Sequence, residues 1–457
     1  MMKTSESHIS LRNEGERILA QGVCVSNDTF KTQHNNNDLI IGPTGSGKTR
    51  YYVKPNLLNA SESLVVTDTK GSLYREMGPA LRDAGYKVLL LDMTDPAHSI
   101  GYDPLDYVRY DEERDEYNQE DIATLANNLY GLENTCSREP YWDEAGKGLY
   151  KSLLSGVLEM TVKEDHTIRS VRKLFELVKA NGKRGSKSEY MRLMERLQER
   201  DPDSFAAAQY MSVISENVET TANCIRMMVG NKLAQLASRE VEMLLCRDER
   251  IDILQLAREK TALFVTISDM DRSQDMLANL FYTQALQTLC HYADKECEDH
   301  CLPIPVRFIL DDFATNARIP DFDKMISVIR SRGIAVSIIL QSQAQLEQMY
   351  GPDAATTILN GCDTVLYLGG QDLSTARYIG TRVNKSDFTV LTMPLDQAWL
   401  LQRGCKPKLV KRYDLTSHPR YHLLPEAKKA AKKTVNKAAK PSKRSVTTKA
   451  KDPKEVA

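Results

Sequence analysis

The stretch Leu39-Ile40-Ile41-Gly42-Pro43-Thr44-Gly45-Ser46-Gly47-Lys48-Thr49 decides the fold of this chain. An apolar run leads directly into the pattern G-x-x-x-x-G-K-T, and a helical stretch follows. Small residues in such a loop let consecutive backbone N–H groups turn inward around phosphates, and the following helix adds partial positive charge at its start. The order of these residues therefore predicts a loop that binds a nucleoside triphosphate.

Individual positions of this loop have distinct expected roles. Lys48 is expected to reach the β- and γ-phosphates of ATP, and the Thr49 hydroxyl to take one position around Mg²⁺. The residues expected to bind the nucleotide are Gly42, Thr44, Gly45, Ser46, Gly47, Lys48 and Thr49.

The composition of the chain limits the classes of protein to which it can belong. Its 457 residues, 27% charged and 41% hydrophobic, are those of an ordinary globular protein. Nine dispersed cysteines are typical of reduced thiols rather than of a disulfide framework. No run approaches the ~18 apolar residues of a membrane span, and the N-terminus is charged where a signal peptide is apolar. We therefore expect a cytoplasmic protein, located at the inner face of the cell membrane through a partner.

Charge is distributed unevenly along the chain. The net charge is −1, yet residues 427–457 contain eleven Lys or Arg and only two acidic residues. Because this tail has almost no large apolar side chains, we expect it to be disordered. It has two interpretations: a positive segment that binds nucleic acid or anionic lipid, or a solubilising terminus without a specific contact.

Strand and helix patterns alternate in two blocks that a helical block separates. Short runs rich in Val, Leu and Ile are typical of buried strands in a parallel α/β sheet. Such runs occur at Leu39–Ile41, Ser63–Asp68, Tyr86–Asp92, Thr261–Ile267, Val306–Asp311, Ala335–Gln341 and Thr364–Leu368. Between about Tyr117 and Leu245 the apolar residues follow helical spacing instead. The simplest interpretation is one mostly parallel, twisted sheet interrupted by an inserted all-α domain.

This pattern divides the chain into five parts. We expect an N-terminal segment at 1–35, a nucleotide-binding domain in two parts at 36–111 and 246–426, an all-α inserted domain at 112–245 and a basic tail at 427–457.

The run Val306–Leu310 is a buried strand that leads into the carboxylate of Asp311. At the carboxyl edge of a parallel sheet, Asp311 is expected to lie beside the loop and to hold the water shell of Mg²⁺. Asp312 follows, where many P-loop ATPases have a glutamate that polarises the attacking water; its side chain is about one methylene shorter. The run Leu64–Asp68 is a competing candidate, and we prefer Asp311 because of the segments that follow it.

Further segments form an ordered set around these residues. They are Asn56–Leu58, Val66–Tyr74, Tyr102–Leu105, Glu139–Ala145, Leu310–Ala314, Ile319–Phe322, Ile329–Ile334, Ile339–Leu346 and Leu368–Gly370. Together they resemble the conjugative coupling-protein family, the TraG-type ATPases of type IV secretion, over about residues 36–413. The resemblance implies a RecA-like motor domain with an inserted all-helical domain. It also implies a homo-hexamer that recruits DNA–relaxase substrates and uses ATP hydrolysis, as a DNA translocase does, to transfer them.

The resemblance also implies roles for two further residues. By its position after the Asp311 strand, Arg330 matches an arginine finger that reaches the γ-phosphate of the neighbouring subunit, with Arg332 as the alternative. Gln341 ends the next strand and is expected to sense the γ-phosphate by hydrogen bonding. The expected catalytic residues are therefore Lys48, Asp312, Arg330 and Gln341, and the expected metal ligands are Thr49 and Asp311.

The chain departs from the family pattern in three places. It lacks the usual N-terminal transmembrane helices, so we expect a membrane-anchored channel or adaptor protein to tether it. Thr69 replaces the family's proline in a turn. Asp312 replaces the usual glutamate, which bears on the rate of hydrolysis rather than on nucleotide binding.

These departures leave more than one function open. The first is an ATP-driven coupling ATPase, and the second is a non-hydrolysing receptor that uses nucleotide only to assemble. A cytosolic DNA segregation motor is a third, against which the helical insertion argues. A further candidate feature is a possible zinc cluster, whose spacing fits no standard zinc finger. Its members are Cys290, His291, Cys297, His300 and Cys301.

Overall fold

The computed structural model describes residues 15–131, 140–179, 187–215, 217–268, 270, 274–313 and 318–429. Its strands are β1 (Glu16–Ala20), β2 (Val23–Ser26), β3 (Asp38–Ile41), β4 (Ser63–Thr67), β5 (Lys87–Asp92), β6 (Tyr110–Asp111), β7 (Glu116–Tyr117), β8 (Thr261–Thr266), β9 (Val306–Leu310), β10 (Ile334–Leu340), β11 (Thr364–Tyr367), β12 (Gln397–Gln402) and β13 (Lys408–Lys411).

Its α-helices are α1 (Thr29–Thr32), α2 (Lys54–Asn59), α3 (Ser72–Asp83), α4 (Gln119–Gly131), α5 (Pro140–Met160), α6 (Ile168–Glu176), α7 (Glu189–Arg200), α8 (Phe205–Tyr210), α9 (Glu219–Gln235), α10 (Arg239–Leu245), α11 (Gln255–Arg258), α12 (Asp275–Glu296), α13 (Phe322–Val328), α14 (Gln343–Tyr350), α15 (Pro352–Asn360), α16 (Leu373–Val383) and α17 (Asp387–Leu391). Residues 430–457, most of the predicted basic tail, lie outside the described residues, as do Glu139 and Ala314 of the motif set.

One large sheet organises the described part of the chain. Its strands lie in the order β13-β12-β11-β3-β10-β9-β4-β8-β5. The seven strands from β11 to β5 are parallel to one another. At the edge of the sheet farthest from β5, β12 runs antiparallel to β11, and β13 runs antiparallel to β12. Strand β3 lies between β10 and β11, with Ile41 opposite both Leu340 and Tyr367. The prediction of a mostly parallel α/β sheet is confirmed.

Both faces of this sheet are covered by apolar side chains. Along β3, Leu39 and Ile41 belong to one buried cluster and Ile40 to another on the opposite face. The first cluster continues into the helices from α4 to α10, and the second includes α2, α3 and β1. Because the central strands are buried on both sides, their sequences are continuous apolar runs rather than alternating ones.

The helices from α4 to α10 form the insertion between β5 and β8, which are neighbours in the sheet. Helix α5, 21 residues long, lies at its centre, and its Leu149, Leu153 and Leu154 are fully buried. Within the predicted insertion at 112–245, the described residues form helices and loops apart from β7, which pairs with β6 in a short antiparallel hairpin at its start. The domain boundaries stay a prediction. Of the helices that the structure describes, none has the length and apolar character needed to cross a membrane.

The motif at Tyr102–Leu105 fixes the base of this insertion. The carboxylate of Asp103 accepts the backbone N–H of Leu105 with one oxygen and that of Ile168, the first residue of α6, with the other, each at 3.0 Å. Asp103 is fully buried, and this burial raises its pKa to about 7. The insertion is therefore held by a carboxylate that loses its proton close to neutral pH.

Replacing Asp103 by asparagine is expected to remove a pH dependence of stability. The folded state keeps a proton on Asp103 up to about pH 7, whereas the unfolded chain loses it near pH 4. Stability from this group is therefore greatest at low pH and falls as pH rises from about 4 to 7. Urea unfolding at several pH values measures this, with exposed Asp83→Asn as the control. An unchanged pH profile in Asp103→Asn would contradict the assignment.

Residues at the N-terminus of the described chain pack onto the nucleotide-binding part. The backbone of Ile18 in β1 exchanges two hydrogen bonds with the side chain of Asn56 in α2, at 2.8 and 2.9 Å. Buried Arg17 forms an ion pair with Asp38, the first residue of β3, at 2.7 Å. The β1–β2 hairpin, which the sequence analysis assigned to a separate N-terminal segment, thus belongs to the same packed body as β3.

Candidate active site

The loop that follows β3 has the backbone of a phosphate-binding loop. Gly45 and Gly47 have φ angles of +80° and +85°, in the left-handed region that favours glycine. A Cβ atom at Gly47 would also collide with the ring of Tyr51. The sequence pattern therefore reflects a geometric requirement, because other residues at these positions would strain the backbone or clash.

The helix after the loop begins with an unusually wide turn. Residues Thr49–Val53 are π-helical, and the N–H of Lys54 bonds to the carbonyl of Thr49. Pro55 follows and has no N–H with which to continue a regular α-helical ladder. Wide turns of this kind are frequent at functional sites, and here the turn lies directly beside the loop.

An ammonium group, a hydroxyl and two carboxylates meet at the carboxyl edge of the sheet. Lys48 Nζ donates to the carbonyl of Gly42 at 2.7 Å and lies 3.9 Å from Oδ1 of Asp312. Thr49 Oγ1 donates to Oδ2 of Asp311 at 3.1 Å. Burial lowers the pKa of Lys48, and the two carboxylates oppose that shift. Burial raises the pKa of Asp311 to about 6, and the charge of Asp312 acts in the same direction.

This arrangement fits a nucleotide with Mg²⁺. The hydroxyl of Thr49 and the carboxylate of Asp311 are hard oxygen ligands of the kind that Mg²⁺ prefers. Within the described part of the chain, the buried hydroxyl of Ser46 has no hydrogen-bond partner, so the loop contains a polar group that a ligand can satisfy. A cation at this position would favour the ionised form of Asp311 and lower its pKa.

Asp312 has a strained backbone at the point where the chain leaves β9. Its φ is +51°, a left-handed conformation that aspartate and asparagine tolerate better than most residues. Its N–H donates to Oδ1 of Asp311 at 3.1 Å. This turn brings the partly exposed carboxylate of Asp312 towards Lys48, on the side of the loop expected to hold the terminal phosphate.

Gln341 also lies at the loop. It follows β10, and its Oε1 accepts the hydroxyl of Thr44 at 3.3 Å. The structure thus brings Lys48, Asp312 and Gln341 together at one edge of the sheet.

The two candidate arginine fingers lie at the amino ends of the parallel strands, whereas the loop lies at their carboxyl ends. Arg330 is exposed in a 3₁₀ turn, Ile329–Arg332, that precedes β10, whereas the N–H of Gly42 bonds to Leu340 at the end of β10. A strand of this length separates the turn from the loop by roughly 20 Å. Arg332 forms an ion pair with Asp294 at 2.9 Å. Neither arginine therefore contacts the phosphate-binding loop of its own chain.

Asp68, the competing candidate for the metal site, serves the start of α3 instead. Its buried carboxylate accepts the backbone N–H groups of Ser72 at 3.1 Å and Tyr74 at 2.9 Å. Strand β4, which precedes Asp68, lies one strand farther from β3 than β9 does. The geometry therefore favours Asp311 over Asp68 beside Thr49.

The cysteine and histidine cluster near the end of α12 has other contacts. His291 Nδ1 lies 2.9 Å from Nη1 of Arg109, and His300 Nδ1 lies 3.0 Å from the carbonyl of Asp294. Among the residues that the structure describes, no group of three or more His, Cys, Asp or Glu side chains is placed to hold a metal ion.

Two arginines that link distant segments of the sheet were missed by the sequence analysis. Arg307 is fully buried within β9 and forms ion pairs with Glu62 and with Asp38, the latter at 3.7 Å. A charge inside an apolar run was a visible signal for such a network. Arg412, beyond β13, donates to the carbonyl of Ser46 in the loop at 2.9 Å. No local pattern marks Arg412, because its acceptors come from distant parts of the chain.

Comparisons with known proteins identify relatives of this chain. A family model described as "Type IV secretory system Conjugative DNA transfer" matches residues 2–397. The chain is 22% identical to protein VirD4 of Agrobacterium fabrum over 363 residues, which is 79% of this chain and 51% of VirD4. Protein VirD4 of Rhizobium rhizogenes is 21% identical, with the same coverage. The chain thus spans about half the length of the curated relatives it matches.

Solved structures of a coupling protein share the fold. The bacterial conjugative coupling protein TrwBdeltaN70, in an unbound form, has a TM-score of 0.64 at 16% identity, covering 88% of this chain and 89% of that chain. The plasmid coupling protein TrwB in complex with ADP and Mg²⁺ has a TM-score of 0.62 at 15% identity, covering 90% and 92%. The predicted RecA-like P-loop fold is confirmed by these matches. Given the family model as well, this chain belongs to the type IV secretion family of conjugative DNA transfer.

Proposed function

We propose that this chain is the coupling ATPase of a conjugative type IV secretion system. In this proposal it binds ATP with Mg²⁺ and couples hydrolysis to the transfer of a DNA–relaxase substrate. The observation that carries the proposal is the convergence of Lys48, Thr49, Asp311 and Asp312 at the loop after β3. The chain belongs to a family of conjugative DNA transfer, and we propose that the site acts within such a transfer apparatus.

Each residue of the site has a task in this proposal. The N–H groups of the loop and the ammonium of Lys48 hold the β- and γ-phosphates. Thr49 and Asp311 hold Mg²⁺, which neutralises charge on the phosphate oxygens. Asp312 orients the attacking water with its carboxylate, and Gln341 hydrogen-bonds the γ-phosphate.

The proposal extends to the partners of the chain. We propose a homo-hexamer in which Arg330 of one subunit acts on the γ-phosphate of the next. Two observations support this: Arg330 is exposed, and it lies at the amino ends of the strands, where it cannot reach the loop of its own chain. We also propose that the protein is held at the inner face of the membrane by a membrane-anchored channel or adaptor protein.

A steady-state ATPase assay tests the proposed function. We expect turnover that requires Mg²⁺ and that rises when single-stranded or double-stranded DNA is added, alone or with a relaxase. Nucleotide binding without turnover under all these conditions would replace the motor with a nucleotide-dependent receptor. Absence of nucleotide binding would reject both.

Mixing two inactive variants is expected to restore part of the activity if Arg330 acts between subunits. Arg330→Ala keeps an intact loop, and Lys48→Ala keeps an intact arginine, so some interfaces in a mixed ring pair the two intact groups. ATPase activity measured across mixing ratios should pass through a maximum. Arg332→Ala, whose arginine already pairs with Asp294, is the matched control and should remain active by itself. Full activity of Arg330→Ala alone would contradict the assignment.

A further inference from the structure

Arg412 links the phosphate-binding loop to the antiparallel edge of the sheet. It follows β13 directly, and its guanidinium donates to three backbone carbonyls. Nη1 reaches Ser46 in the loop at 2.9 Å, Nη2 reaches Leu368 after β11 at 2.6 Å, and Nε reaches Gln397 in β12 at 3.0 Å. A rigid, planar guanidinium is suited to joining three segments in this way.

Tyr51 completes this arrangement from the neighbouring helix. The guanidinium of Arg412 lies 5.4 Å from the centre of the Tyr51 ring, within the range of a cation–π contact. The same ring lies so close to Gly47 that a Cβ atom there would collide with it. Both residues therefore restrict the orientation of the peptide between Ser46 and Gly47. Arg412 binds its carbonyl, and the ring of Tyr51 packs against Gly47.

The direction of this peptide follows from its geometry. In a trans peptide the C=O of Ser46 and the N–H of Gly47 point in opposite directions. When Arg412 binds the carbonyl from outside the loop, the N–H of Gly47 is turned inward. A hydrogen bond at the carbonyl also polarises the peptide and strengthens its N–H as a donor.

We propose that Arg412 is a positioning residue of the nucleotide site, which fixes the N–H of Gly47 as a donor to the polyphosphate of the nucleotide. This inference rests on the proposed nucleotide binding. Arg412 does not itself touch the phosphates, and it acts through the Ser46–Gly47 peptide. The proposed site therefore includes a residue that follows β13, at the sheet edge formed by β12 and β13, although this residue is far from the loop in sequence.

Titration with fluorescently labelled ADP and Mg²⁺ tests the proposal. Arg412→Gln loses the charge-assisted hydrogen bonds and is expected to bind labelled ADP at least about tenfold more weakly. Arg412→Lys keeps the charge but not the fork of donors, so it should recover only part of the affinity. Arg420→Gln is the matched control, since Arg420 lies on the same C-terminal segment and donates to the carbonyl of Leu58, outside the loop. It should bind labelled ADP as the wild type does.

Displacement of labelled ADP by inorganic pyrophosphate locates the effect. Because the proposal concerns the phosphates, Arg412→Gln should weaken pyrophosphate and ADP by similar factors, measured at a temperature at which circular dichroism shows both proteins to be folded. Loss of ADP affinity with unchanged pyrophosphate affinity would overturn the proposal, as would wild-type affinity in Arg412→Gln. An equal loss in Arg420→Gln would reduce Arg412 to a structural role. If the wild type itself fails to bind labelled ADP, the proposed function fails instead.

Discussion

Lys48→Ala is expected to abolish nucleotide turnover and to leave the fold intact. Lys48 donates to the loop carbonyl of Gly42 and lies near Asp312, and its ammonium is the cation of the loop that would meet the phosphates. Loss of such a group from a preorganised site lowers turnover by about 100-fold or more. The side chain contributes little to the apolar core, so the circular dichroism spectrum and the unfolding midpoint should change little.

Lys54→Ala provides the matched control for this experiment. Lys54 lies six residues farther along the chain, at the start of α2, and pairs with Glu76, away from the loop. The Lys54→Ala variant loses a nearby lysine that does not contact the loop, so its nucleotide turnover should remain. Wild-type turnover in purified Lys48→Ala would contradict the assignment of the loop.

Asp312→Asn is expected to suppress hydrolysis by about 100-fold while preserving nucleotide affinity. Asparagine has the same shape and tolerates the left-handed φ of +51°, so the substitution removes the charge without straining the backbone. Single-turnover hydrolysis and equilibrium binding of labelled ATP separate the two effects. If Asp312→Asn hydrolyses ATP at the wild-type rate, the residue has only a structural role.

Asp312→Glu adds a second, opposing expectation. Glutamate restores the longer carboxylate that the family usually has, so turnover should equal or exceed that of the wild type. The left-handed backbone at this position disfavours glutamate by about 1 kcal/mol, so the same variant should unfold at a lower temperature. Both expectations can be measured on one preparation.

The central sheet could be predicted because its strands are buried on both faces. The run Leu39–Ile41 is apolar throughout, and Val306–Leu310 is apolar except for Arg307, which is the signature of strands covered by helices on either side. The loop after β3 could be predicted because its glycines are required by the backbone. In both cases the physical constraint acts on neighbouring residues, so it leaves a local pattern in the sequence.

The rest of the site depends on contacts between distant segments. Strand β13 is polar and exposed, and it is a strand because β12 offers it hydrogen bonds. Arg412 follows that strand and reaches the loop only when the sheet is assembled. The strand order, which places β9 closer than β4 to β3, adds a geometric reason for preferring Asp311 over Asp68 that no single segment of the sequence contains. Residues of this kind carry no local pattern.

The position of β3 in the sheet has a consequence for the synthesis of the protein. Its two hydrogen-bonding neighbours are β10 and β11, which the ribosome makes long after the loop itself. Until residues 334–367 have emerged, the apolar run Leu39–Ile41 has no strand on which to pair, and such unpaired runs attract chaperones or aggregate. A nascent chain therefore contains the complete loop motif early and acquires a formed nucleotide site only after β10 and β11 have been synthesised.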